Sequence, residues 1–187
     1  EISLGLVGSE MCIRDRMTGM RIGEICALRW SDVDLSENVI HVHYTMQRIK
    51  DTSEEGQTRT KVIITEPKSE TSIRDIPLTE YAAGLCRRWK AKNPAAFLLT
   101  GTEDQFMEPR CLQNRLKEYT KNCNLEGVHF HTLRHTFATR CVEVDFEIKS
   151  LSEILGQHRR TRKRKGPVGR FHPAGHIYAI PSALQPH

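Results

Sequence analysis

Hydrophobic positions recur along this chain at two periods, and the switches between them mark its elements. After Thr18-Gly19, the residues Ile22, Ile25, Cys26 and Leu28 give a helix its apolar side. Residues 38–50 alternate as a strand, with Ile40, Val42 and Tyr44 on one face. A polar stretch from Asp51 to Thr60 precedes a second strand at residues 61–65. Glu66-Pro67-Lys68-Ser69-Glu70 interrupts as a turn, and Ser72 to Ile76 returns as a third strand that Pro77 ends. These last two strands predict a β-hairpin carrying Lys68 near its tip.

Helical spacing resumes over 79–92, with Thr79 as cap and Tyr81, Leu85 and Trp89 recurring every fourth residue, until Asn93-Pro94 stops it. Phe97-Leu98-Leu99 is short, apolar and suited to burial. Residues 109–123 form another helix, opened by Pro109, with Leu112 and Leu116 inward and Tyr119 packed. Thr132 reads as the N-cap of the next helix, whose stripe is Leu133, Phe137 and Cys141. Ile148, Leu151, Ile154 and Leu155 line a last helix over 147–155, and Gly156 stops it. The sum is a mainly α domain with a small antiparallel β-sheet, an α+β fold.

Composition narrows the class. The 187 residues suffice for one domain with a real core. An apolar fraction of 38% and a mean hydropathy of -0.50 fit a soluble protein. No apolar run approaches the roughly 20 residues a membrane helix needs. Residues 1–16 lack the basic start and apolar centre of a signal peptide, so a cytoplasmic protein without membrane contacts is expected. The six cysteines stand singly with no CxxC pair, which suggests reduced thiols. Cys123, His129, His131 and His135 match no standard zinc spacing, so neither metal nor cofactor is expected.

The net charge of +5 is unevenly placed: residues 158–187 carry seven Lys/Arg and no acid, which leaves 21 basic against 23 acidic residues before them. Binding of a polyanion must therefore come from a local basic face rather than from overall charge.

Two clusters carry candidate chemistry. Arg134 would lie in the first turn of its helix, beside unpaired backbone N–H groups, where a planar guanidinium suits two phosphate oxygens. His131, just ahead of the helix, and His135 could pass a proton. Seen alone, these three are better accounted for as packing histidines and a solvated arginine. Arg21 and Glu24, three apart on a helix, can pair, as an ordinary surface ion pair would.

The wording of these stretches adds a resemblance. HTLRHTFAT (131–139) resembles the central box of the tyrosine recombinases, the phage-integrase family, and TGMRIGEICALRWSDVDL (18–35) resembles its first box. TSIRDIPL (71–78) and LSEILG (151–156) are similar to two further family segments, in the right order. The resemblance covers roughly residues 17–157 and implies an incomplete catalytic domain. It implies DNA cleavage and rejoining through a 3′-phosphotyrosyl link, with double-stranded DNA as partner, a tetramer on DNA, a bacterial or phage-encoded origin, and no metal or nucleotide.

In this reading Arg21 and Arg134 hold the scissile phosphate, Lys68 protonates the leaving 5′ oxygen, and His131 assists proton transfer. Glu24 and His135 support them. Arg21, Lys68 and Arg134 are the expected DNA contacts.

The pattern breaks after Gly156. Gln157 occupies the family's histidine slot, and His158 stands one place late. Lys165, Gly166 and Pro167 surround the expected tyrosine position. The only later tyrosine, Tyr178, lies about ten places too far along. Residues 158–187, basic and with four prolines, are read as a disordered or frame-shifted tail, and residues 1–16 as a leader foreign to the fold, of cloning or sequence-assembly origin. Two rivals stand beside an active recombinase: a non-catalytic DNA-binding remnant, and a type IB topoisomerase with the same site logic.

Overall fold

A computed structural model describes residues 18–51, 59–67, 72–125 and 127–157. The leader, Lys68, His158, Tyr178 and the tail lie outside the described residues. Helix α1 (Ile22–Ala27) leads through a 3-10 turn (Trp30–Asp32) into β1 (Val33–Asp34), β2 (Val39–Val42), β3 (Thr45–Asp51), β4 (Arg59–Thr65) and β5 (Arg74–Pro77). Four helices follow: α2 (Glu80–Trp89), α3 (Pro109–Asn122), α4 (Phe130–Glu143) and α5 (Ile148–Ile154).

The strands make two small antiparallel sheets rather than one. One has the order β1-β2-β5, and the other pairs β3 with β4. The strand predicted over 38–50 is therefore broken at His43-Tyr44. Tyr44, expected on one face with Ile40 and Val42, is exposed where the chain leaves the first sheet, while those two are buried. The hairpin predicted from 61–65 and 72–76 does not form either. Residues 59–65 pair with 45–51, and residues 74–77 pair with 39–42. The apolar pattern marks both segments as strands but says nothing about which partner each will find.

Local capping follows the sequence closely. The Thr79 hydroxyl accepts from the Ala82 N–H and opens α2. Tyr81 stays largely exposed, because the inward face of α2 is made by Ala82, Ala83, Leu85 and Cys86. Pro109 starts α3, with Leu112 and Leu116 buried, and Gly156 follows α5 at φ +57°. Phe97, Leu98 and Leu99 are buried beside residues 28–30, held by the Trp30 N–H to Ala96 and the Leu98 N–H to Leu28. One apolar core joins α1, the β1-β2-β5 sheet and the four later helices.

Helix α4 starts earlier than predicted. His129 is the N-cap, with extended backbone, so Thr132 lies inside the helix and its hydroxyl meets the His129 ring. His131 thereby moves into the first turn, and Arg134 becomes the fifth helical residue rather than part of that turn. Phe137 and Cys141 face the core as the spacing predicts, with Leu133 partly buried beside them.

Two glycines set the packing around the future site. Gly19 sits at φ +60°, where a side chain is strained, and an added Cβ would come within 2.5 Å of the Phe137 ring. At Gly23, in α1, a Cβ would come within 2.6 Å of the Met46 carbonyl, so α1 lies flush on β3. Helix α5 closes the other side, against β5 and α4.

Candidate functional site: an arginine cluster around Glu24

Glu24 is the acid of α1, and its side chain is only 3% exposed. A buried carboxylate needs hydrogen-bond donors, and this one has four. Oε2 accepts from the Arg21 backbone N–H at 2.9 Å, the reciprocal half of a capping box, and from Arg74 Nη2 at 2.8 Å. Oε1 accepts from Arg21 Nη1 at 2.9 Å and from Arg74 Nη1 at 3.1 Å. Burial by itself would raise the carboxyl. The hydrogen bonds and charge of Arg74, then the backbone N–H and guanidinium of Arg21, outweigh it and hold Glu24 below its ordinary value.

Arg134 arrives from α4. Its Nη1 donates to the Gly19 carbonyl at 2.5 Å and its Nη2 to the Leu155 carbonyl at 2.5 Å. Burial, then the like charges of Arg21 and Arg74, push its guanidinium down to about 10, while Glu24 acts the other way. Arg134 remains a cation at neutral pH, but its charge is costly to hold there. Three guanidiniums against one carboxylate leave a surplus of two positive charges. Arg21 is the open member, its side chain 40% exposed. A bound anion would offset the repulsion that the three cations exert on one another.

The cluster also grips the end of α5. Arg74 Nε donates to the Ile154 carbonyl, Arg134 Nη2 to Leu155 and Arg21 Nη2 to Gly156. These are three consecutive carbonyls at a helix end, where backbone acceptors lack intrahelical partners.

Of the residues singled out from sequence, Arg21, Glu24 and Arg134 come together. His135 lines an open groove of about 950 Å³ that also includes Arg74, Gly156 and Gln157. His131 is exposed at the start of α4. Among the described residues, no three His, Cys, Asp or Glu side chains are grouped to hold a metal ion. Arg74 is the member that the pattern reading missed. The available signal was strand alternation: once Ile76 faces inward, Arg74 two residues earlier must face the same way.

The result is a mixed helix–sheet domain that gathers three arginines around one buried acid. Comparison with known proteins specifies the lineage. The phage integrase family model matches residues 16–163, and the chain belongs to that family.

The tyrosine recombinase XerC-like protein of Caldanaerobacter subterraneus subsp. tengcongensis is 29% identical over 154 residues, covering 74% of this chain and 39% of that protein. The integrase of Staphylococcus phage L54a is 28% identical, covering 75% of this chain and 41% of its own length. The chain thus spans about two fifths of these relatives. Among solved structures, the Tn1549 transposon integrase in complex with a circular intermediate DNA superposes with a TM-score of 0.61 at 24% identity. That match covers 79% of this chain and 49% of the integrase. The XerA recombinase follows at a TM-score of 0.52 and 24% identity, over 76% of this chain and 45% of its own. These likenesses show a shared fold.

Proposed function

We propose that this chain is part of the catalytic domain of a site-specific DNA recombinase that cuts and rejoins strands through a phosphotyrosyl intermediate. The observation that carries this reading is the convergence of Arg21 and Arg134 on adjacent carbonyls at the end of α5, in a cluster with surplus positive charge and an exposed side at Arg21. Family membership supports it, as do relatives named as recombinases and integrases and neighbours solved with DNA. Those names favour a recombinase over a type IB topoisomerase or a non-catalytic remnant.

The chemistry assigns each residue a task. Arg21 and Arg134 take the non-bridging oxygens of a phosphodiester and stabilise the charge that builds as phosphorus becomes five-coordinate. A tyrosine oxygen bonds to phosphorus, and the bond from phosphorus to the 5′ oxygen breaks. Lys68 delivers the proton that the leaving oxygen takes, and His131 moves the proton of the nucleophile. Reversal by the 5′ hydroxyl of another strand completes the exchange, so no nucleotide is consumed. Glu24 and His135 support the pocket. Tyr178 is the candidate nucleophile within this chain, and His158 follows, one place late in the sequence, the histidine slot that Gln157 occupies. Assembly as a tetramer on duplex DNA in a bacterial cytoplasm belongs to the same reading.

A nicked duplex that traps covalent protein–DNA adducts tests it. Substrates drawn from sequences flanking the source gene would be offered to the chain and to Arg21→Ala and Tyr178→Phe. An adduct that Arg21→Ala abolishes is the expected result, and its loss in Tyr178→Phe would assign the nucleophile. Salt-sensitive duplex binding that Arg21→Ala weakens, with no adduct, would favour the non-catalytic remnant. Binding and adduct both indifferent to Arg21→Ala would overturn the assignment of the pocket.

A further inference from the structure

Resting on the phosphodiester reading above, we infer that Arg74 is a positioning residue that keeps Arg21 available to the phosphate and supplies half of the charge surplus of the cluster. Its guanidinium is directed into the protein. The side chain is 5% exposed, Nε bonds the Ile154 carbonyl, Nη1 bonds Ser72 O at 3.0 Å and Glu24 Oε1 at 3.1 Å, and Nη2 bonds Glu24 Oε2 at 2.8 Å. A guanidinium has five N–H donors, and four of these contacts already face protein acceptors, so Arg74 is not a DNA contact.

Its effect passes through Glu24. That carboxylate binds both Arg74 and Arg21, and Arg74 takes its full fork. Glu24 is thus neutralised chiefly from inside the protein, and the more exposed Arg21 shares that carboxylate instead of serving as its sole counter-ion. Without Arg74, Glu24 would fall to Arg21 alone as its directly bonded cation. Arg21 would then be drawn into a private ion pair, and the pocket surplus would halve. Arg74 also ties the Ile154 carbonyl to α1 through Glu24. The three carbonyls that the arginines share are thereby held in register with the pocket.

Charge balance separates this role from plain structural support. The test measures affinity of the full chain for a fluorescent mixed-sequence duplex of about 30 base pairs by anisotropy, with folding checked by circular dichroism. Arg74→Met is expected to weaken binding about tenfold, the scale of one lost phosphate-directed charge. The double variant Glu24→Gln/Arg74→Met removes the stranded carboxylate as well and is expected to regain most of that loss. Arg74→Lys keeps the charge without the fork and should fall between.

If the single variant does not fold, the double variant still decides, because replacing a buried pair by neutral groups is often tolerated. Affinity near the native value supports the inference, and a folded double variant about tenfold weaker overturns it. Native-like binding by Arg74→Met overturns it too. Arg21→Ala serves as the reference: if that change leaves affinity unaltered, the phosphate pocket itself is misassigned and the inference falls with it. An Arg21 effect without any Arg74 effect removes only the positioning role.

Discussion

Replacing Glu24 by glutamine preserves the shape of the side chain and removes only its charge. The native carboxylate accepts from four N–H groups, two on Arg21 and two on Arg74, inside a shell where it and Arg74 are 3% and 5% exposed. A glutamine amide offers one oxygen in place of two and turns an NH₂ group toward guanidinium donors. Arg74 is left buried without its anionic partner, held by the neutral Ile154 and Ser72 carbonyls.

Removing one member of a buried ion pair costs about 3–5 kcal/mol, much of it the desolvation of the survivor. With a urea slope of about 2 kcal/mol per molar for a domain of this size, the unfolding midpoint should fall by about 2 M. Fluorescence of Trp30, which is buried, and Trp89 would follow the transition. A midpoint within about 0.3 M of the native one, at unchanged slope, would place Glu24 among solvated surface pairs and refute the buried cluster.

Two further outcomes follow from the same geometry. Glu24 titrates below its ordinary value of 4.5 in the fold. Its contribution is therefore complete above pH 4.5 and is lost as the pH falls through the depressed folded value. The urea-midpoint gap between native chain and Glu24→Gln should hold from pH 7 to about 5 and narrow only below 4.5. A gap that closed above pH 5 would mean a raised carboxyl instead. Gly19→Ala combines a left-handed backbone at φ +60° with a Cβ 2.5 Å from Phe137. It should cost about 2–5 kcal/mol by thermal or urea unfolding. Gly84→Ala, in α2 with open space around it, should instead stabilise by about 0.5–1 kcal/mol. Equal effects at the two positions would contradict the packing described at Gly19.

Local chemistry, written in short stretches, was legible in advance. Thr79 caps because its hydroxyl replaces a missing helical acceptor, and Pro109 and Gly156 mark helix ends through their own backbone preferences. Arg21 and Glu24 pair because a helix brings residues three apart to one face. The family boxes pointed to Arg21 and Arg134 as partners although more than a hundred residues separate them.

The position of α4 was less legible. Thr132 has the chemistry of a cap, but His129 holds the extended backbone, so the helix begins earlier and His131 joins it.

Tertiary structure decided the rest, because non-local pairing has no signature in a single segment. Alternation identified residues 61–65 and 72–76 as strands, yet each found its partner elsewhere, one in the β3-β4 pair and the other beside β2. That choice turned Arg74 inward, onto an acid fifty residues away and a carbonyl eighty residues away. The sequence alone determined the kinds of element and the chemical identity of the pocket's first members. Only packing determined that a third arginine would neutralise Glu24, because burial, not sequence spacing, makes a carboxylate demand every donor within reach.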